Sequence, residues 1–137
     1  MGETVSMNDN MIETPLMRGL ERVLDQSAFR HQVLSANIAN VDTPRYRTRD
    51  IPTFAGQIEQ AMAEDGDAGE FTAAPLLTPV AREVRGLVER PDGNNVSVER
   101  ESLLLAQNQL RFEVAVAFLK AEFHRMSLAI NGGSNAP

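Results

Sequence analysis

The stretch that most constrains this chain is Val98 to Ile130, which contains neither glycine nor proline. Nothing in it breaks an i to i−4 hydrogen-bond ladder, so it reads as one long helix. Ser97 stands where a helix cap belongs, and Glu99 and Glu101 fall near the positive end of the helix dipole. The capping box is incomplete, because Arg100 occupies the place where a Glu would close it. Gly132-Gly133 then ends the helix.

Two apolar seams run side by side along this stretch. One is Leu105, Phe112, Val116, Leu119, Phe123, Met126 and Ile130, with Asn108 as its polar member. The other is Leu103, Ala106, Leu110, Val114, Ala117, Ala121 and Leu128, passing His124. Burying one large aliphatic side chain is worth about 1.5–3 kcal/mol, so a whole stripe left in water invites association. One partner helix covers one seam. The second seam needs either the middle of the chain folded back over it or contacts from other molecules.

A partner helix is present near the amino terminus. Thr14-Pro15 is a helix start, with Thr14 as cap and Pro15 in the first helical position. Leu16, Leu20, Val23, Ser27, His31, Leu34 and Ile38 then recur as an 11-residue repeat, a narrow stripe that requires a companion. Asn37 and Asn40 lie three apart on the last turns, and Asp42-Thr43-Pro44 stops the pattern. Asn amides compete for nearby backbone groups, so this pair is suited to tying a helix end to the chain that leaves it.

Between the helices, the residues after Pro44 read as extended chain. Ala55 to Ala63 has the spacing of a short helix, and Ala63 to Glu70 is acidic and glycine-rich, as in a mobile loop. Phe71 to Pro91 suggests short strands or irregular structure, and Pro91-Asp92-Gly93-Asn94-Asn95 is a turn by residue type. The expected fold is therefore mainly α. Two long terminal helices form a coiled-coil-like pair, with an irregular or short-β middle segment. Within one structural domain, residues 1–13 are expected to be a disordered amino terminus, 14–54 the first helix and its turn, 55–91 a variable middle, and 92–137 the second turn and helix.

The formal net charge of −6 argues against general nucleic-acid binding. There is no cysteine, hence no thiol chemistry and no disulfide framework. The first residues have neither a basic start nor an apolar run, so a cleavable secretory signal is not expected. His31 and His124 fall on helix seams without metal-ligand spacing, and Asp65, Asp67 and Gly69 do not complete a calcium loop. Arg45, Tyr46, Arg47 and Arg49 form a small basic patch flanked by Asp42 and Asp50, better suited to a partner or to solvent than to nucleic acid. The residues point to no catalytic constellation, cofactor or metal site.

The stretch LSANIANVDTPRYRTRDI, together with DGNNVSVERESLLLAQNQLRF, resembles the two end signatures of the bacterial flagellar rod and hook proteins. The matching assembly-motif positions are Asn37, Asn40, Thr43, Pro44, Tyr46, Gly93, Asn94, Asn95 and Val96. The pattern departs at Arg45, where the family has glycine. The resemblance implies a structural subunit of the proximal rod in the basal body, part of the drive shaft that crosses the periplasm and transmits torque. It further implies export through the flagellar type III apparatus and self-association in a helical assembly. Neighbours would be other rod subunits and the junction protein at the rod base, with neither nucleic acid nor a small-molecule substrate. Subunit contacts are expected along Leu105, Phe112, Val116, Leu119, Phe123, Met126 and Ile130. The alternative left open by the residues is a cytoplasmic helical adaptor or chaperone that binds one amphipathic partner.

Overall fold

The structure, a computed structural model, describes residues 14–52 and 79–132. Helix α1 runs over Pro15–Ala39 and helix α2 over Val98–Gly132. Among the described residues between them are two short strands, β1 (Arg49–Asp50) and β2 (Arg82–Glu83). The strands pair antiparallel, with Arg49 opposite Glu83 and Asp50 opposite Arg82. The expectations of a disordered terminus before residue 14, a short helix at Ala55–Ala63 and an acidic loop at Ala63–Glu70 lie outside the described residues.

Local chemistry sets the helix ends. Thr14 accepts a hydrogen bond from the Met17 amide at 3.2 Å, and Pro15 follows in the first turn. Its missing N–H costs nothing there, since that amide has no partner inside a helix. Ser97 accepts from the Arg100 amide at 3.3 Å, and Glu99 and Glu101 occupy the first turn of α2. Asn40 closes α1, its backbone N–H turned back to the carbonyls of Ala36 and Asn37.

The two helices pack antiparallel. Asn37 meets Glu101, Ser27 meets Asn108, and Thr14 meets Glu122. On α2 the inward residues are Glu101, Leu105, Asn108, Phe112, Ala115, Leu119, Glu122 and Met126, spaced alternately four and three apart. That heptad spacing suits a narrow coiled-coil seam. On α1, Met17, Ser27, Arg30, Leu34 and Asn37 are buried, and Leu20 and Leu24 are half-buried. Leu16, Val23 and His31 are exposed. The buried face of α1 therefore has a shorter period than the 11-residue repeat read from the sequence, which is the left-handed sense. The two readings share Leu20, Ser27 and Leu34, and diverge where Met17, Leu24 and Arg30 displace their neighbours.

The second correction concerns the seams of α2. They do not lie side by side; at about 100° per residue they are roughly 180° apart, on opposite faces. Only one faces α1. Leu103, Leu110, Val114 and Leu128, on the other, are 46–62% exposed. Among the described residues few large apolar side chains are buried: Met17, Leu34, Ile51 and Val96, with the small Ala115. Nine polar or charged residues are buried with them, and every buried side-chain nitrogen and oxygen among the described residues has a hydrogen-bond partner. This satisfaction is what makes so polar an interior tolerable.

With so small an apolar core, a single truncation should be costly. Leu34 is fully buried, and Leu34→Ala is expected to lose about 3 kcal/mol in denaturant unfolding. Leu110→Ala, on the exposed face, should stay within about 0.5 kcal/mol.

Candidate functional site

The end of α1 is built around the Asn37 side chain, which has no solvent exposure. Its amide nitrogen donates to the Arg49 carbonyl at 2.7 Å and to Glu101 Oε2 at 2.8 Å. Its amide oxygen accepts from the Arg49 N–H and from the Tyr46 hydroxyl, both at 3.1 Å. A side-chain amide has two donors and two acceptor lone pairs, and here all four are used. With Arg49 it makes the reciprocal pair that a neighbouring strand would make, so one edge of β1 is closed by a side chain. The other side of the same segment faces the β2 region, where the Val84 amide donates to the Thr48 carbonyl at 2.9 Å.

The chain leaves α1 through a tight turn. Tyr46 N–H returns to the Thr43 carbonyl at 3.3 Å, Pro44 sits in the second position, and Arg45 in the third has φ +60°. Proline followed by a positive φ defines a type II turn. Arg45 therefore stands in the conformation that glycine adopts most easily, and carries the strain of a left-handed non-glycine residue. Gly93 packs directly against it: a Cβ there would lie 3.4 Å from Arg45 Cα and Cγ, and Gly93 itself has φ +81°. A side chain at Gly93 would be strained in its own backbone and crowd this turn.

The segment before α2 locks onto the same turn. Asn94 donates to the carbonyls of Asn40 at 2.9 Å and Thr43 at 2.8 Å, while its oxygen accepts from the Val96 amide at 2.8 Å. Asn95 accepts from the Thr48 amide at 2.7 Å, and its own carbonyl accepts from the Thr48 hydroxyl at 3.2 Å. Arg45 N–H donates to the Asp92 carbonyl at 3.0 Å. Asn40 secures the helix end itself, donating to the Ala36 carbonyl and accepting from the Thr43 hydroxyl. The nine motif positions expected from sequence thus meet in one knot, far apart in the chain but adjacent in space.

Arg30 and Thr48 were not singled out by the sequence, and Asp50 and Glu101 were noted there only as a flanking charge and a first-turn acid. Arg30 makes a two-pronged ion pair with Asp50, at 2.8 and 2.7 Å, joining α1 to β1. Those hydrogen bonds hold the guanidinium pKa above its usual value, against the opposing effect of burial. Glu101, fully buried, receives Asn37 and also Arg100 at 2.6 Å. Thr48 is fully buried between Asn95 and Val84. Arg30 lies one heptad before Asn37, and a charged residue at that spacing on a packed face was the available hint.

The seam expected to make subunit contacts is partly covered by α1. Leu105, Phe112, Val116, Leu119 and Met126 are half-buried, in the register that meets α1. Phe123 and Ile130 are exposed; Ala115 and Glu122 take the inward positions beside Val116 and Phe123 instead. Ile130 also lies beyond Glu122, which is opposite the start of α1. In the basic patch, Arg47 pairs with Glu89 at 2.7 Å, while Arg45 and Arg49 are exposed.

The arrangement defines a structural junction that fastens two chain ends and sets how their helices pair. Residues 24–47, covering the second half of α1 and the turn, match the family described as flagella basal body rod protein. The flagellar basal body rod protein FlgB of Escherichia coli (strain K12) is 32% identical over 131 residues, covering 86% of this chain and 94% of that protein. FlgB of Salmonella typhimurium (strain LT2) is 29% identical with the same coverage. FlgB of Bacillus subtilis (strain 168) is 26% identical over 123 residues, 85% of this chain and 94% of the relative. The chain belongs to the FlgB family of flagellar basal body rod proteins. It is a structural rod subunit and not an enzyme, which displaces the adaptor alternative.

Two substitutions test the knot. Asn37→Leu leaves the Glu101 carboxylate, the Tyr46 hydroxyl and the Arg49 backbone without their shared partner, and should cost about 3 kcal/mol or more in denaturant unfolding. Arg45→Gly removes the left-handed strain at the price of a more flexible unfolded chain, and should gain about 0.5–1 kcal/mol, read as a higher Tm.

Proposed function

We propose that this subunit joins the proximal part of the rod through its two terminal helices, with the outward face of α2 packed against neighbouring subunits. The observation that carries the reading is that face: Leu103, Leu110, Val114 and Leu128 run along it, about half exposed or more. The expected contact seam at Leu105 to Met126 faces α1, so subunit contacts are assigned to the opposite side, while Phe123 and Ile130, exposed on the α1 side, offer a separate contact. In this reading the face meets a different surface of the neighbouring subunit, and repeated head-to-tail contacts of this kind build helical polymers.

Partners in this reading are other rod subunits and the junction protein at the rod base, with the flagellar type III apparatus as the export route. Its place is the rod within the periplasm, reached without a cleavable signal peptide, and its task is transmission of torque for motility. What supports it is membership of the rod family, together with an apolar surface larger than the chain covers among its described residues. The knot suits such a shaft mechanically, because Asn37, Asn94 and Asn95 fix the angle at which the chain leaves the helix pair.

Replacing Leu110 and Leu128 together by Asp should leave the monomer's helical circular dichroism unchanged, since both side chains already face solvent. In cells lacking the native subunit, the double variant should be exported yet fail to restore motility or to appear in isolated basal bodies. Normal motility would refute the assignment of this face.

A further inference from the structure

Helix α2 offers α1 two faces of similar length, and α1 lies on the more polar one. The occupied face carries Glu101, Asn108 and Glu122 among Leu105, Phe112, Leu119 and Met126. The open face carries Leu103, Leu110, Val114, Ala117, Ala121 and Leu128, passing only His124. Apolar burial alone would favour the open face, because burying a polar group costs free energy unless it is hydrogen-bonded.

All three polar side chains of the occupied face are buried, and each bonds a different point on α1. Glu101 accepts from the Asn37 amide at 2.8 Å, close to the knot. Asn108 donates to the Ser27 carbonyl at 2.7 Å, midway along the pair. Glu122 accepts from the Thr14 hydroxyl at 3.3 Å, where α1 begins and where no acidic residue of α1 itself stands in the first turn. Glu122 is further held by Arg125. The three contacts fall near the end, middle and start of α1, and one antiparallel register satisfies all of them. A slip of α1 by one turn would leave Asn108 and both carboxylates buried without those partners.

We propose that Glu101, Asn108 and Glu122 are the specificity determinants of the helix pair: they assign α1 to one face of α2 in one register and thereby keep the apolar face open. Polar residues within an otherwise apolar seam act in this way in coiled coils, giving up stability in exchange for a single register. The knot supplies the first of the three contacts, and Asn108 and Glu122 carry the same choice along the remaining length. That the open face then serves assembly rests on the function proposed above. The choice of face is a property of the isolated chain, and it stands or fails without that reading.

The absence of cysteine makes the test direct. Cysteines introduced at the exposed positions Arg22 and Arg111 in the full chain carry spin labels, and their separation is measured by pulsed electron resonance, with mass by sedimentation. The parent chain should give one narrow distance distribution and a single-copy mass. The Asn108→Leu/Glu122→Leu variant should lose the single peak, gaining a second distance or sedimenting as two or more copies, while helical content is kept. Glu122→Gln with Asn108 kept, which retains side-chain shape and hydrogen-bonding capacity, should keep the single peak. A parent-like narrow peak and mass in the double-Leu variant would overturn the proposal. A broad distribution in the parent would also overturn it. So would collapse of helical content in the double-Leu variant, because the contacts would then hold the fold together rather than choose between pairings.

Discussion

The structure depends on one side-chain amide. Asn37 sits on the last turns of α1 and touches, through four hydrogen bonds, the turn at Tyr46, both backbone groups of Arg49, and Glu101 at the start of α2. No other side chain of that size fits this set. An aspartate would lose two donors, a leucine would lose everything, and a glutamine would displace the amide by one methylene. Because the amide is wholly buried, each of its partners would otherwise be a desolvated polar group. Helix end, exit strand and second helix are thus positioned by a single group, and the Asn94 and Asn95 contacts add to a geometry already set.

Around that amide the interior is unusually rich in polar groups and short of large apolar ones. Met17, Leu34, Ile51 and Val96 are the large apolar residues buried among those described, while several of comparable size on α2 face outward. A rod subunit has reason to distribute its surface in this way. Contacts inside the subunit need to be specific, and hydrogen bonds give specificity at modest net stability. Contacts between subunits need to be extensive, and apolar area supplies most of the free energy of association. The exposed leucines of α2 are the part of this chain best suited to the second task.

Much of the architecture was legible because its signals are local. Thr14-Pro15 and Ser97 start helices where their capping chemistry places them, and Asp42-Thr43-Pro44 marks where the first helix gives way. The two asparagine clusters were legible as a pair only through resemblance to rod proteins, since nothing in their spacing says that residues more than fifty positions apart are adjacent. The phase of α1 was misread because Leu16 and Val23 are apolar and Arg30 is charged, and composition ranks them in the wrong order. Arg30 is inside because Asp50 meets it there, a fact about β1 that the helix pattern does not contain. The type II turn at Arg45 is likewise not a local preference: arginine fits a type I turn better, and what holds it in type II geometry is the Asp92 carbonyl and the close approach of Gly93.

By itself, then, the sequence determined two long helices, their ends, a mainly α fold and a surplus of apolar surface. These follow from backbone hydrogen bonding and side-chain periodicity, which act over a few residues at a time. Which face of α2 receives α1 was decided by the tertiary structure, as were the antiparallel register and the left-handed conformation at Arg45. Each of these rests on hydrogen bonds between distant groups whose cost, if left unmade in a buried place, exceeds the small preference of any local pattern.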